Sequence, residues 1–499
     1  MHRPRRLLLA AGFAILAGAV ASTDSRTAPV MLQFGDLLFA EGRYSEARTA
    51  YEAAQETDDQ AIRRLGAMGT VRSSLRLGAF SRAMETAASL RDLAPDDAAV
   101  LALYGDAVWA TGLFEEAERA YAEALALVPD LAQAHHGVAR TLAAKNQLNA
   151  ALEEAEIALR LEPREGEFHH TAGSILERMR RYGEAVSAFT AYLSLLPNQD
   201  SGEQATLGRS KIRFLRSFGE DLPMEILDEG RERIHRIPFK VSDDKIIVRG
   251  RVNDRQNVDF VLDTGAEHTF LSARTAQRSR VTPIVRTLAA GVGQLGLRGL
   301  LLGKLDSLRI GTLRVRNVPT LIKAPRLTGN GLPKNERDGF SPLALGLSMS
   351  IDYQQRELVV AERLPERETH TVLPLHQHRL AVVRGLVNND RAVNFIVDTG
   401  GEVISISRDT AMALGPSTFR RIPLRVFGTS GWDTDAFLLP GVDLRFNEIE
   451  YNNFSVVVLN LQAPSTLLGF QVGGIVGHKF LSRYHVDIDL LRSEVRLSS

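Results

Sequence analysis

The sequence predicts a multidomain chain in which an all-α superhelix of repeats precedes an all-β half made of two similar lobes. Two observations support this division. Prolines recur at a constant spacing through the first part of the chain, and a gap-free internal duplication occupies the last part. Between them, the apolar pattern changes from helical spacing to β-branched alternation punctuated by glycine, which is typical of sheet.

Composition limits the classes of function. The 499 residues carry no net charge, so a nucleic-acid binder is not expected, since phosphate binding requires a cationic surface. Residues 28–200 hold 16 basic and 26 acidic residues, whereas 231–365 hold 23 and 13. This contrast has two interpretations. The two segments either form solvated surfaces of unlike charge without a further role, or their charges act in binding. In the second case, the segments attract each other, or the basic segment binds acidic partners. The absence of cysteine excludes disulfides, thiolate metal ligands and a cysteine nucleophile.

Residues 1–21 have the pattern of a signal peptide. Three arginines within the first six residues precede an apolar run from Leu7 to Val20, which is short for a membrane span. The Ala-Val-Ala triplet at 19–21 offers small residues at the cleavage positions. We therefore expect an exported protein, periplasmic or extracellular, with an uncleaved signal anchor as the alternative. No later segment is expected to span a membrane.

One sequence period runs through residues 28–197. Pro95, Pro129, Pro163 and Pro197 carry it, with an alanine twelve residues before each proline and a large apolar residue three before each alanine. The pattern resembles the tetratricopeptide repeat (TPR). The resemblance implies five helix–turn–helix units over 28–197 that stack into a superhelix. Residues 198–236 are expected to form a cap helix and a charged linker.

Two histidine pairs, His135-His136 and His169-His170, have the same spacing as the prolines. A metal site is one interpretation, but nothing nearby completes a ligand set, and inheritance of a repeat position explains the spacing. We expect no metal ion and no cofactor. One histidine of each pair is expected to face the TPR groove, where a protein partner could bind.

The β-rich half contains two copies of one lobe, 237–365 and 371–499. The segment VRGRVNDRQNVDFVLDTG at 248–265 aligns with VRGLVNNDRAVNFIVDTG at 383–400 without a gap. Each copy leads from an apolar run into an Asp-Thr-Gly triplet. A single triplet is no more than a turn between strands, but a matched pair in a duplicated lobe indicates shared chemistry.

Two aspartates a few ångströms apart cannot both ionise easily, so they share a proton and divide the roles of acid and base. Water attack on a peptide bond needs both roles, and a two-fold arrangement supplies one carboxylate from each lobe. The pattern resembles the retropepsin-like aspartic proteases. The resemblance implies that Asp263 and Asp398 are catalytic, and that the dyad is supported by Thr264, Gly265, Ala266, Thr399, Gly400 and Gly401. Gly401 departs from the Ala, Ser or Thr that this family prefers.

The resemblance also implies a glycine-rich flap in each lobe and an apolar-apolar-Gly element near the end of each lobe. The flap and substrate-binding residues are then Gly291, Gly293, Gly296, Gly428, Thr429 and Gly431. The last element of the second lobe is Ile475-Val476-Gly477. Two alignments stay open for the first lobe: one places Ser341 where the glycine belongs, and the other uses Leu345-Gly346.

We expect an exported aspartic endopeptidase that cuts peptide or protein substrates, with the TPR region recruiting a substrate or a partner. The alternative is a non-catalytic, peptide-binding pseudoprotease on a TPR scaffold, which the irregular first lobe and Gly401 favour. A dinucleotide site at GVGQLG, residues 291–296, is not expected, because sheet-like sequence follows it instead of a helix. The lobes pair either within one chain or between two chains.

Overall fold

The computed structural model describes residues 27–197, 202–227, 234–289, 291–293, 298–323, 337–389, 391–415, 421–428 and 430–498. The predicted signal peptide, residues 1–21, lies outside this part of the chain. The described residues form a helical N-terminal region and a β-rich C-terminal region, as the sequence predicts. None of the helices in these ranges is long and apolar enough to cross a bilayer.

The N-terminal region consists of helix pairs joined by short turns, followed by a single helix. The pairs are α1 (Thr27–Ala40) with α2 (Tyr44–Ala54), α3 (Gln60–Arg76) with α4 (Phe80–Leu93), α5 (Ala98–Ala110) with α6 (Phe114–Leu127), α7 (Ala132–Ala144) with α8 (Leu148–Leu161), and α9 (Gly166–Arg178) with α10 (Tyr182–Leu195). The single helix is α11 (Glu203–Arg216), where the sequence predicts a cap.

Small residues allow consecutive helices to pack closely. A Cβ atom at Gly105 in α5 would lie 2.5 Å from the Tyr121 ring of α6, and Gly137 in α7 approaches the same ring. The Tyr121 side chain is fully buried, and its hydroxyl donates to Asp106 Oδ1 at 2.8 Å. A larger side chain at either glycine would therefore push neighbouring helices apart.

The C-terminal region repeats one succession of strands. The first lobe comprises β1 (Glu225–Ile226), β2 (His235–Ser242), β3 (Lys245–Val252), β4 (Gln256–Leu262), β5 (Thr269–Leu271), α12 (Ala273–Arg278), β6 (Pro283–Ala289), β7 (Arg298–Ile310), β8 (Leu313–Ile322), β9 (Asp338–Phe340), a 3₁₀ helix (Leu343–Leu345), β10 (Ser348–Asp352) and β11 (Glu357–Ala361). The second comprises β12 (Thr371–His378), β13 (Leu380–Val387), β14 (Arg391–Asp398), β15 (Ser405–Ser407), α13 (Arg408–Ala413), β16 (Ile422–Pro423), β17 (Val426–Gly428), β18 (Gly431–Asp433), β19 (Phe437–Phe446), β20 (Ile449–Leu459), α14 (Gln462–Leu468), β21 (Gly474–Gly477), α15 (His478–Leu481), β22 (His485–Asp489) and β23 (Glu494–Ser498).

The two lobes share one pairing pattern. In the first lobe, β4 is antiparallel to β3 and parallel to β9. In the second lobe, β14 is antiparallel to β13 and parallel to β21. Each strand that leads into an Asp-Thr-Gly triplet therefore has a hydrogen-bonded neighbour on both sides, which fixes the point at which the triplet leaves the sheet.

An antiparallel sheet of six strands joins the lobes in the order β2, β11, β10, β22, β23, β12. Ser350 of the first lobe faces Asp487 of the second at its centre. The Ser350 hydroxyl lies 2.7 Å from His485 Nε2, and buried Arg496 lies 3.4 Å from Asp487 and 3.3 Å from Asp489. The pairing of β10 with β22 and the contact of Ser350 with His485 join the two lobes, while the Arg496 ion pairs lie within the second lobe.

The helical region and the second lobe share an apolar core. The Phe114 ring of α6 packs edge-on against the Phe470 ring with centroids 5.3 Å apart, and Leu380 is buried in the same cluster. The Gln471 backbone N–H donates to Ala110 O at 2.7 Å. The helix α11 packs in turn against β6 of the first lobe. The repeats are therefore packed onto the protease-like half through buried apolar surface.

Candidate active site

The two Asp-Thr-Gly triplets meet at the boundary between the lobes. Asp263 directly follows β4, and Asp398 ends β14. The Thr264 N–H donates to Thr399 Oγ1 at 3.1 Å, and the Thr399 N–H donates to Thr264 Oγ1 at 3.0 Å. Each hydroxyl then donates to a carbonyl of the opposite lobe, Thr264 to Val397 at 2.6 Å and Thr399 to Leu262 at 2.8 Å. This reciprocal set of buried bonds fixes one Asp-Thr-Gly loop against the other.

The glycines of the triplets let each aspartate approach the opposite loop. A Cβ atom at Gly265 would lie 2.5 Å from Asp398 Oδ1, and one at Gly400 would lie 2.5 Å from Asp263 Cγ. Both distances are shorter than a non-bonded contact allows, so no larger residue fits without displacing a carboxyl group. The structure thus brings Asp263 and Asp398 together, each against the glycine of the other triplet.

Burial raises the pKa of both carboxyl groups. The pKa of Asp263 rises to about 7 through burial and the neighbouring charge of Asp398. Burial also raises the pKa of Asp398, but the backbone N–H groups of Gly401 and Gly400 oppose this rise, and the Gly400 N–H donates to Asp398 Oδ1 at 2.8 Å. The two carboxyl groups therefore titrate as one coupled pair, and burial lets this pair hold a proton at a higher pH than an isolated aspartate would.

Two lysines place positive charge near the pair. The Lys245 ammonium donates to the Gly400 carbonyl, and its charge lowers the pKa of both aspartates. Lys323 lies over the Phe270 ring at 4.0 Å and lowers the pKa of Asp263. The sequence motifs indicate neither lysine, although Lys245 is the first residue of β3, the strand that the duplication aligns with β13.

The residue after each triplet has no hydroxyl, since these positions are Ala266 and Gly401. A Cβ atom at Gly401 would lie 2.9 Å from Asp398 Oδ2. The Gly401 carbonyl also accepts the backbone N–H of His478 at 2.9 Å, which ties this loop to α15. The departure from the family preference therefore has a steric reason in the second lobe.

The second lobe carries a flap hairpin formed by β17 and β18, in which Gly428 pairs with Gly431. The Phe427 and Trp432 rings contact each other on it with centroids 5.1 Å apart. Trp432 is 39% exposed, so an aromatic surface is available to a ligand. The sequence motifs do not predict this aromatic pair.

The flap segments of the two lobes contact each other. The Ser430 N–H donates to Val292 O at 3.0 Å, and the Gly291 N–H donates to Ser430 Oγ at 3.1 Å. Gly293 has a φ of 135° and Gly431 a φ of 92°, conformations that favour glycine. These predicted flap glycines thus lie together with Gly428, whereas Gly296 and Thr429 are outside the described residues.

The last element of the first lobe follows one of the two alignments. β4 pairs with β9 so that Leu262 faces Phe340, and β14 pairs with β21 so that Val397 faces Val476. Ser341 therefore occupies the place of Gly477, and the alignment with Leu345-Gly346 is wrong. The Ser341 hydroxyl is fully buried and has no hydrogen-bond partner in the part of the chain described here.

The histidine pairs of the repeats have structural partners. His135 Nε2 lies 2.8 Å from Pro129 O, and His169 Nε2 lies 2.9 Å from Pro163 O, the same contact in two successive units. His136 is buried and lies 2.8 Å from Thr171 Oγ1. Within the described ranges, no three His, Asp or Glu residues cluster in a way that could hold a metal ion.

Comparison with known families assigns both regions of the chain. A family model for aspartyl protease matches residues 248–347 and again 383–480, one match in each lobe. Models for the tetratricopeptide repeat match residues 28–60, 68–132 and 139–200. The chain thus carries N-terminal tetratricopeptide repeats followed by a duplicated aspartyl protease region. No curated protein sequence matches it.

Solved structures resemble parts of the chain. A thermophilic TPR protein of Thermus thermophilus is 22% identical and covers 37% of this chain and 98% of its own, with a TM-score of 0.32. The aspartic proteinase from Irpex lacteus is 12% identical and covers 54% of this chain and 97% of its own, with a TM-score of 0.36.

Proposed function

We propose that this protein is an exported aspartic endopeptidase in which Asp263 and Asp398 form one catalytic dyad. The observation that carries the proposal is the reciprocal bonding of Thr264 and Thr399, which holds each aspartate against the glycine of the opposite triplet. A pair of carboxyl groups in this arrangement shares one proton and provides an acid and a base together. The aspartyl protease match in each lobe supports the same reaction class.

In the proposed reaction, Asp398 is the base and Asp263 is the acid. Asp398 accepts a proton from the attacking water as the water oxygen bonds to the peptide carbon. Asp263 gives its proton to the carbonyl oxygen, so the tetrahedral intermediate is a neutral diol. The C–N bond then breaks as the nitrogen takes the proton from Asp398, and Asp263 recovers its proton from a diol hydroxyl.

The flap segments are proposed to bind an extended substrate. The glycine backbone at 291, 293, 428 and 431 lets a peptide strand approach closely, and strand addition supplies main-chain hydrogen bonds. Because Ser430 bonds to Val292 in this structure, the two segments must separate to admit a chain and close again over it. Trp432 and Phe427 offer an apolar contact to a substrate side chain.

The repeats are proposed to recruit a protein substrate or partner, as TPR regions mediate protein interactions. The export of the protein is proposed from the charged and apolar pattern of residues 1–21 alone.

A peptide-binding pseudoprotease is the second candidate. Ser341 in the place of Gly477 favours it, because the first lobe departs from the second at this position. Cleavage separates the two candidates. Purified protein incubated with a diverse peptide mixture is expected to generate new termini by mass spectrometry, and Asp263→Asn protein is expected to generate none.

A further inference from the structure

The hairpin β2–β3 of the first lobe reaches across to the catalytic loop of the second. Its turn consists of Asp243 and Asp244, with φ values of 50° and 52°, and Ser242 pairs with Lys245 on either side. This two-residue turn fixes where the Lys245 side chain begins. The ammonium then donates to the Gly400 carbonyl, which belongs to the Asp-Thr-Gly triplet of Asp398.

A second ionic contact holds the same hairpin in place. Lys479 Nζ lies 3.5 Å from Asp244 Oδ2 and 2.7 Å from Glu402 Oε1, so it bridges the hairpin turn and the loop after the triplet. The Lys479 backbone N–H also donates to Glu402 O at 3.0 Å. Residues 400–402 are therefore tied to the first lobe at two points, through Lys245 and through Asp244.

The ionic tether has a counterpart in the other lobe, where Arg379 in the β12–β13 turn donates to Glu267 Oε2 at 2.9 Å, but Lys245 itself does not. The duplication aligns Lys245 with Leu380, at the same offset that relates the two Asp-Thr-Gly triplets. Leu380 is buried in the apolar core that the second lobe shares with the repeats. The loop of Asp398 is therefore bonded by a cation from the opposite lobe, while the residue aligned with that cation is apolar and packs elsewhere.

The charged groups around Lys245 do not change the direction in which its positive charge shifts the pKa values of the dyad. The neighbouring groups are Asp263 and Asp398 in the site, Asp244 on its own hairpin, and His478, Lys479 and Glu402 from the second lobe. Glu402 and Asp244 already pair with Lys479. Lys323, the other cation near the site, is placed over Phe270 and donates to Arg337 O at 3.1 Å.

We propose that Lys245 is a positioning residue of the dyad: it fixes the second catalytic loop through the Gly400 carbonyl and places positive charge near the two carboxyl groups. Only the predicted change in the pH–rate profile rests on the proposed function. A cation beside two carboxyl groups favours their ionised forms, so Lys245 sets the pH range over which the pair holds a single proton. Its removal raises both macroscopic pKa values and moves the pH–rate bell upward.

Three variants separate charge from hydrogen bonding. Lys245→Met removes both, Lys245→Gln keeps a donor for the Gly400 carbonyl without the charge, and Lys245→Arg keeps both. Lys240→Met on the exposed face of β2 is the matched control. The first readout is the pH profile of kcat/KM on a peptide substrate. The second is ¹³C NMR titration of aspartate carboxyl groups in labelled protein, assigned with Asp263→Asn and Asp398→Asn, which requires no activity.

Lys245→Met and Lys245→Gln are expected to shift both readouts upward by about one pH unit, while Lys245→Arg and Lys240→Met leave them in place. Unshifted carboxyl titrations in folded Lys245→Gln would overturn the proposal. The proposal would also be overturned if all three variants, Lys245→Arg included, lost activity while neither the pH profile nor the carboxyl titrations shifted. That result would show a purely steric role for Lys245. If the unmodified protein cuts no peptide but the titrations shift, the endopeptidase function fails and the role of Lys245 stands.

Discussion

Thr264 and Thr399 exchange hydrogen bonds across the boundary between the lobes, each backbone N–H donating to the hydroxyl of the other at 3.1 and 3.0 Å. Both side chains are buried, and each hydroxyl donates a hydrogen bond to a carbonyl of the opposite lobe. The backbone N–H and the hydroxyl of each threonine are thereby paired. The two threonines therefore couple the stability of the lobe boundary to the geometry of the dyad.

Replacement of Thr399 by alanine is expected to weaken both folding and activity. It leaves the Thr264 N–H and the Leu262 carbonyl without their partner in a buried site, at a cost of about 1–3 kcal/mol for each unsatisfied group. Urea unfolding gives the stability and peptide cleavage gives kcat/KM. Thr399→Ser retains the hydroxyl and should keep most of both; equal losses in the serine and alanine variants would show that the methyl group matters instead.

A methyl group at Gly400 is expected to lower the cleavage rate strongly while the repeats stay folded. Its Cβ would lie 2.5 Å from Asp263 Cγ, so the carboxyl group or the loop must move. A displacement of the reacting groups by about 1 Å lowers the rate on the order of 100-fold. Gly183→Ala in α10 is the control, because a Cβ there meets nothing within 4 Å. Full activity in Gly400→Ala would show that Asp263 does not lie where the structure places it.

Activity is expected to fall as the pH rises through about 7, where Asp263 loses the shared proton. The free energy of unfolding is expected to depend on the titration of the same carboxyl group. The folded pKa of Asp263 lies above its ordinary value of 3.8, so the stabilising contribution is complete below that value and is lost as the pH rises toward about 7. Urea unfolding across this range should show a decline that Asp263→Asn protein lacks. A stability that rises with pH in the unmodified protein but not in the variant would reverse the assigned shift.

Ala266→Ser tests the missing hydroxyl within the same pH measurement. A serine hydroxyl that donates to the charged carboxylate lowers its pKa, so the pH–rate bell should move downward. The matching change at Gly401 is a poorer probe, because its Cβ would already lie 2.9 Å from Asp398 Oδ2.

Protein with Asp263→Asn mixed with protein carrying Asp398→Asn is expected to remain inactive. The sheet order β11, β10, β22, β23 places strands of both lobes of one chain side by side, so we expect each molecule to contain its own dyad. Exchange of lobes between chains would require that sheet to open. Cleavage is measured after mixing at several protein concentrations. Activity that grows with concentration would show that lobes pair between chains.

The duplication made much of this site predictable. Residues 263–265 and 398–400 carry the same three letters at a fixed offset, and only a two-fold meeting of the lobes gives both copies a common role. The helix pairs were equally predictable, since a constant spacing of prolines with small side chains at fixed positions between them is hard to satisfy in another way.

Contacts between distant segments of the chain could not be predicted from the repeats and the duplication. Lys245 donates to the Gly400 carbonyl, which lies far along the chain in the other lobe. The residue aligned with Lys245 is Leu380, so the duplication does not predict a charge at this position. The choice between Ser341 and Gly346 needed the register of β9 against β4, which local sequence does not specify. The packing of Phe114 on Phe470 likewise joins two regions that the sequence presents as separate.

The central claim is that two carboxyl groups act as one unit, and kcat/KM for a cleaved peptide in the single and double dyad variants tests it most directly. Asp263→Asn and Asp398→Asn are each expected to lower kcat/KM by about 1000-fold or more, and the double variant should be no worse than either, because residues that act together lose their effect together. Cleavage that survives either single substitution, or losses that multiply in the double variant, would contradict a shared dyad.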